Sequence, residues 1–374
     1  MTPYSPVWSA YQRLRWPLRH AAVLALALWA STAVQAQSTW QRKAVPYYDT
    51  VHMLQGLYGH WALPRAQGFE RTAQALPPAI SALCNAPTDA GQAALARARS
   101  AWQDTTLAWE QLSALAIGPV VERRSLRSID FAPTRPALIA RAIVTQPQGA
   151  LAFERIGTPA KGLPALEWLL WTQPVAPGTP ACRYAHEVAL DLLREATALQ
   201  TAYAQAAATD WGTEDQQERS AQAMSEFVNQ WVGGLERLRW AHMEKPLRAA
   251  QVTRPPDYPR AASGQTLAAW NAAWAALRSA TLLADSNAAP VPGSTLVPLE
   301  TQLRGMGLNP LADRLRTAAL RVDTALAGVA QADIHSGAQV QQTARALAVL
   351  KHLAESEVAP ALKVSIGFSD ADGD

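Results

Sequence analysis

From residue 47 to residue 358 the chain repeats apolar residues at intervals of three and four, broken by short polar or proline-bearing stretches. This spacing predicts a helix over 47–76, interrupted at Pro64, and a strong one over 88–115, where Trp102 and Trp109 stand seven apart on one face. Further helices are predicted over 137–145, from Pro164 onward, and over 183–208, with a less regular, glycine- and proline-bearing stretch over 117–136. A second series begins at 214 and reaches 243. A proline-rich link (RPPDYP) then leads to helices over 264–283, 299–305, 310–330 and 340–358. Few β-branched runs alternate with period two, and alanine, the best helix former, is abundant. The pattern predicts an all-α protein of two helical-bundle domains, 37–210 and 211–374.

The first 36 residues stand apart from these bundles. Arg13, Arg15 and Arg19 precede a short apolar run (AAVLALALWASTA), and Val34-Gln35-Ala36 ends it on a small residue. This is the form of a secretory signal cleaved after Ala36, and it predicts a periplasmic protein. No later segment is apolar for long enough to span a bilayer, so an integral membrane protein is not expected. The leader also carries the charge excess. Without its three arginines, 33 basic residues become 30, against 30 acidic ones, and neither nucleic acid nor an anionic membrane follows from the overall balance. Cys84 and Cys182 are the only cysteines, both in loop-like surroundings, and export predicts that they form a disulfide.

One glutamate raises a question of chemistry. In KGLPALEWLLW, residues 161–171, Glu167 is followed by nearly continuous apolar residues. This stretch resembles the signature of the imelysin-like family, a glycine, a histidine two residues on and a glutamate three beyond it. Gly162 and Glu167 match the glycine and the glutamate, while Pro164 stands where the family has histidine. ARSAWQDTTLAWEQLSALAIGPV resembles the family's tryptophan-bearing helix with its Gly-Pro turn. RSIDFAPTR, with Asp130 and Arg135, resembles the segment after it, and VSIGFSDADGD resembles the ending of a periplasmic branch. The resemblance covers most of the chain after the leader. It implies two helical bundles, an association with bacterial iron acquisition or a secreted peptidase activity, iron or another divalent metal as cofactor, and other iron-uptake components of the envelope as partners.

The substitution at Pro164 bears on the metal. Histidine and glutamate at i and i+3 share a helix face and can approach one ion together. Proline offers no lone pair, though it suits a helix's first turn. Glu167 then either ligates a metal with groups from elsewhere or pairs with a cation, Lys161 and Arg135 being the candidates. His60, Asp130, Asp370 and Asp372 are further ligand candidates; the tail SDADGD opens like a calcium loop but ends before a closing glutamate. His352-x-x-Glu355 repeats the His/Glu spacing and reads as a solvated helix face, and His242-x-Glu244 lacks the cysteine half of a deaminase site. There is no nucleophile elbow, no His-Glu-x-x-His and no phosphate loop, and eleven tryptophans beyond the leader (14 less 3) read as helix packing. Two segments echo each other, GHWALPRAQ and AHMEKPLRAAQ, each followed by a tryptophan-bearing helix, as an internal duplication would leave them.

Overall fold

A computed structural model describes residues 45–367, except 88, 252, 285–287, 331–333 and 336. The leader and the acidic tail, with Asp370 and Asp372, lie outside the described residues. Within them all regular structure is helical, apart from one isolated bridge between Gln251 and Arg254. The first half contains α1 (Thr50–Gln55), α2 (Leu63–Cys84), α3 (Gly91–Ser113), α4 (Pro119–Glu122), α5 (Ser125–Ile129), α6 (Pro136–Thr145), α7 (Gly149–Glu154), α8 (Gly162–Glu167) and α9 (Pro180–Ala207). The second contains α10 (Gln217–Glu236), α11 (Lys245–Ala249), α12 (Thr266–Thr281), α13 (Leu299–Gly305), α14 (Asn309–Ala327), α15 (Ala338–Leu353) and α16 (Ala359–Ala361).

Four π-helical turns are inserted between these helices: Gly56–Ala62, Trp168–Thr172, Arg237–Glu244 and Ala354–Val358. All four follow one rule. Leu63, Gln173, Lys245 and Ala359 each donate their N–H to the carbonyl five residues back, and each is followed by a proline, Pro64, Pro174, Pro246 or Pro360. A proline ring clashes with the carbonyl four residues before it, and the wider turn carries that carbonyl aside. The helix continues past Pro64, Pro246 and Pro360 with a shifted register, whereas it ends before Pro174. The sequence echo falls on two of these junctions, so it marks a shared local structure. Pro64 does not break the first helix, and α2 also runs through Pro77 and Pro78 to Cys84, beyond the expected end at 76. Ile80 and Leu83 are buried along this extension, and their packing holds the backbone helical despite the missing donors.

α2 lies between α3 and α9, α14 pairs with α15, and α12 crosses α3 to join the halves. One continuous apolar core runs from Tyr48 to Val364. Its tryptophans are packing residues: Trp61 donates to Ser279 Oγ at 2.9 Å and Trp231 to Thr281 Oγ1 at 2.9 Å, while the buried indole N–H groups of Trp109, Trp211 and Trp270 have no partner among the described residues. The disulfide is present, linking Cys84 at the end of α2 to Cys182 in the first turn of α9 with Cα atoms 5.5 Å apart. No helix among the described residues is long and apolar enough to cross a membrane.

Candidate functional site

Gly162 determines where Glu167 can sit. Its φ is +79°, and a Cβ there would lie 2.2 Å from the carbonyl oxygen of Ile129. Only glycine allows the start of α8 to rest on the backbone just before Asp130. Trp102 of α3 donates from Nε1 to the Leu163 carbonyl at 3.0 Å, and Tyr184 donates to the Ala160 carbonyl at 2.6 Å, so both sides of that start are fixed. Pro164 is buried in the first turn of α8, and Glu167 closes the helix, 6% exposed.

The partner of Glu167 is neither of the two candidate cations, Lys161 and Arg135. Its Oε1 accepts from the backbone N of Ser263 at 2.9 Å and from Ser263 Oγ at 2.7 Å. Lys161 instead reaches Asp191 at 3.5 Å and the Phe153 carbonyl at 3.3 Å, and Arg135 is exposed at the start of α6. Sequence proximity misleads here because the helix start turns Lys161 toward α9 while Glu167 faces the other half of the chain.

Ser263 belongs to a turn that carries Arg260, and this arginine is the centre of the site. It is 3% exposed and adopts φ +65°, a left-handed conformation that a non-glycine residue holds only when its surroundings demand it. Ser263 Oγ donates to the Arg260 carbonyl at 3.1 Å, Gln265 N donates to the same carbonyl at 3.0 Å, and Thr266 Oγ1 donates to the Pro259 carbonyl at 2.8 Å. The guanidinium donates from Nη2 to Asp130 Oδ2 at 2.6 Å, and from Nε and Nη2 to Glu110 Oε1 at 3.3 and 3.2 Å. It also feels the charge of Glu167. Glu110, on the buried face of α3, is pushed up to about 7 by desolvation, against the opposing pull of Arg260. One turn earlier Thr106 is fully buried, and its hydroxyl has no partner among the described residues.

The second half adds two more groups. Gly234 of α10 packs so closely on the Ala114 carbonyl that a Cβ would come within 2.1 Å of it. This approach lets Arg237 donate to the Ser113 and Ala114 carbonyls, capping the negative end of α3 beside Glu110. His242, in the π turn that follows α10, is pushed down to about 4 by desolvation and by Arg237, so it is neutral at ordinary pH. Both Arg237 and His242 retain some accessible surface.

The three acids, Glu110, Asp130 and Glu167, therefore all come from the first half, while Arg237, His242 and Arg260 all come from the second. Asp130 and Glu167, which the sequence offered as separate ligand candidates, both face the Arg260 turn. The sequence passed over Glu110, Arg237, Arg260 and Ser263, and weighed His242 only as part of a different motif. Glu110 left one signal, an acid eight residues after Trp102 on the apolar face of a strong helix. Arg260 left none, since its proline-rich surroundings read as a linker. His60 is not one of this group: it is exposed on the first π turn, because the residues that pack inward there are Leu57, Tyr58 and Trp61. His352 is also exposed, and Glu355 pairs with Lys351 at 3.1 Å.

These residues do not fit a bare metal ion. The family's histidine position is Pro164, and the guanidinium of Arg260 already neutralises Glu110 and Asp130. No three His, Cys, Asp or Glu side chains among the described residues are grouped to hold a cation.

A buried acid–base seam joining two halves of an all-helical protein is the class that fold and site define. The imelysin family (peptidase M75) matches residues 62–359, and the chain belongs to it. Its fold is that of an imelysin-like protein from Psychrobacter arcticum, with 19% identity, a TM-score of 0.68, and coverage of 87% of this chain and 100% of the other. It is also that of a protein from Parabacteroides distasonis described as an iron-regulated protein A precursor, with 15% identity, a TM-score of 0.64, and coverage of 83% and 95%. Among curated proteins none matches.

Proposed function

We propose that this protein is an exported, non-catalytic component of a bacterial iron-acquisition system. Its two helical bundles, 37–210 and 211–374, would present the acid–base seam as a recognition site for a metal complex or a partner. Family membership and the description of the Parabacteroides structure as an iron-regulated protein A precursor support the iron connection. The disulfide and the signal-like leader support export to the periplasm. The observation that carries the reading is Arg260: a fixed guanidinium holds the carboxylates that a cation would otherwise hold. A peptidase of metal type needs an ion with an open position and a general base, and Pro164 removes half of the local ligand pair.

Protein isolated from its native envelope, analysed for metals and titrated with ferrous iron, zinc and ferric citrate, tests this. The expected result is no stoichiometric bare metal after desalting, and binding of ferric citrate that Arg237→Ala weakens. One equivalent of bare metal lost in Glu167→Ala, or chelator-sensitive cleavage of a peptide library, overturns it. So does failure of ferric citrate to bind.

A further inference from the structure

α6 is apolar nearly all round, yet only one side of it is covered. Ile139 and Ala142 are buried, while the opposite side carries Ala137, Ala140, Arg141 and Val144 and no acid. A helix apolar on all sides is normally enclosed. Val144 is 79% exposed, and Leu151, just across the short turn into α7, is 81% exposed. Residues 146–148 join the two helices, so these side chains flank one short turn.

The charge of the segment that carries them is one-sided, although Glu187 of α9 accepts from the Gly149 N–H in the turn at 3.2 Å. Residues 123–161 contain seven Lys or Arg and two acids, in a chain that is balanced beyond its leader. One of the acids, Asp130, is held by Arg260. Two of the cations are paired, Arg123 with Glu195 and Lys161 with Asp191. The other five, Arg124, Arg127, Arg135, Arg141 and Arg155, are all exposed, and none has a carboxylate partner among the described residues. Arg127 lies only over the Phe131 ring.

We infer that the α6–α7 segment docks this protein peripherally on an anionic phospholipid bilayer, with Val144 and Leu151 entering the headgroup region and the arginines meeting lipid phosphates. Charge complementarity selects this occupant. A few protruding apolar side chains in a segment rich in exposed arginines suit interfacial insertion. They offer far less than the roughly 1,000 Å² that a stable protein interface requires. A second copy meeting this face symmetrically would set arginines against arginines. The inference does not depend on what the acid–base seam recognises.

Flotation of the full chain with phosphatidylcholine vesicles, with and without phosphatidylglycerol, at low and high salt, tests it. Binding is expected only with phosphatidylglycerol and is expected to fade with salt. Each arginine near the surface contributes about fivefold, so Arg141→Ala with Arg155→Ala should weaken binding on the order of twentyfold. Val144→Ser with Leu151→Ser should weaken it too, while the thermal midpoints of both variants stay at the wild-type value. No binding to phosphatidylglycerol vesicles, or equal binding by both variants and wild type, overturns the inference. A dimer that Val144→Ser with Leu151→Ser dissociates, without any vesicle binding, overturns it in favour of self-association.

Discussion

Glu110 and His242 lie in one buried cluster, and burial moves them in opposite directions. Glu110 is pushed up from 4.5 to about 7, so between these values the folded chain holds a proton that the unfolded chain has released, and stability falls as pH rises. His242 is pushed down from 6.5 to about 4, so over that range the unfolded chain takes a proton that the folded chain refuses, and stability falls as pH drops. The two slopes largely cancel in the intact protein. Glu110→Gln should therefore expose the histidine's slope, losing on the order of 2 kcal/mol relative to wild type as pH falls from 6.5 to 4. His242→Asn should expose the opposite slope, with stability lost between 4.5 and 7. Denaturant midpoints across a pH series read both effects. Parallel curves for the two variants would show that these groups do not titrate in opposition.

At the scale of elements, α8 depends on a few backbone contacts. Glu167 accepts two hydrogen bonds from Ser263 and so ties the end of α8 to the Arg260 turn. Removing it leaves the partly buried Ser263 N–H without its acceptor, at a cost of about 1–3 kcal/mol. Glu167→Ala should lower the thermal midpoint clearly, whereas Glu214→Ala, at an exposed position beginning a short 3-10 turn, should not. Equal melting of both with wild type would sink this account of α8. Most elements were legible in the chain: the apolar spacing located nearly every long helix. The π turns were not, because one extra residue in a turn barely changes the apolar spacing. The proline after each of them was visible, but Pro64 reads in the sequence as an interruption, whereas the widened turn makes it a point where the helix continues.

Across the whole molecule, the disulfide and the seam tie distant segments together. Cys84 and Cys182 are 98 residues apart, and closing so long a loop restricts the unfolded chain strongly. The pair Cys84→Ser with Cys182→Ser should lose about 2–5 kcal/mol, read as a lower denaturant midpoint. Native protein denatured without reductant should take up no alkylating agent, and two alkylated thiols would refute the bond. At the seam, Arg260→Ala should lose about 3–5 kcal/mol, because it leaves the buried Glu110 and the partly buried Asp130 without their cation. A midpoint unchanged by Arg260→Ala would mean that the halves do not rely on this pairing.

The sequence alone determined the all-helical class, the places of the long helices and the pairing of the two cysteines. These follow from local spacing, from residue chemistry and from motifs whose members lie close along the chain. Tertiary structure decided the rest. Gly162 is required because Ile129 approaches it, and nothing near Gly162 in sequence announces that contact. Arg260 is the cation for Glu110 and Asp130, although it stands 150 residues from one and 130 from the other. A buried acid in a sequence says that a partner is needed; which residue supplies it depends on how the chain folds back, and that is settled by packing between elements far apart in sequence.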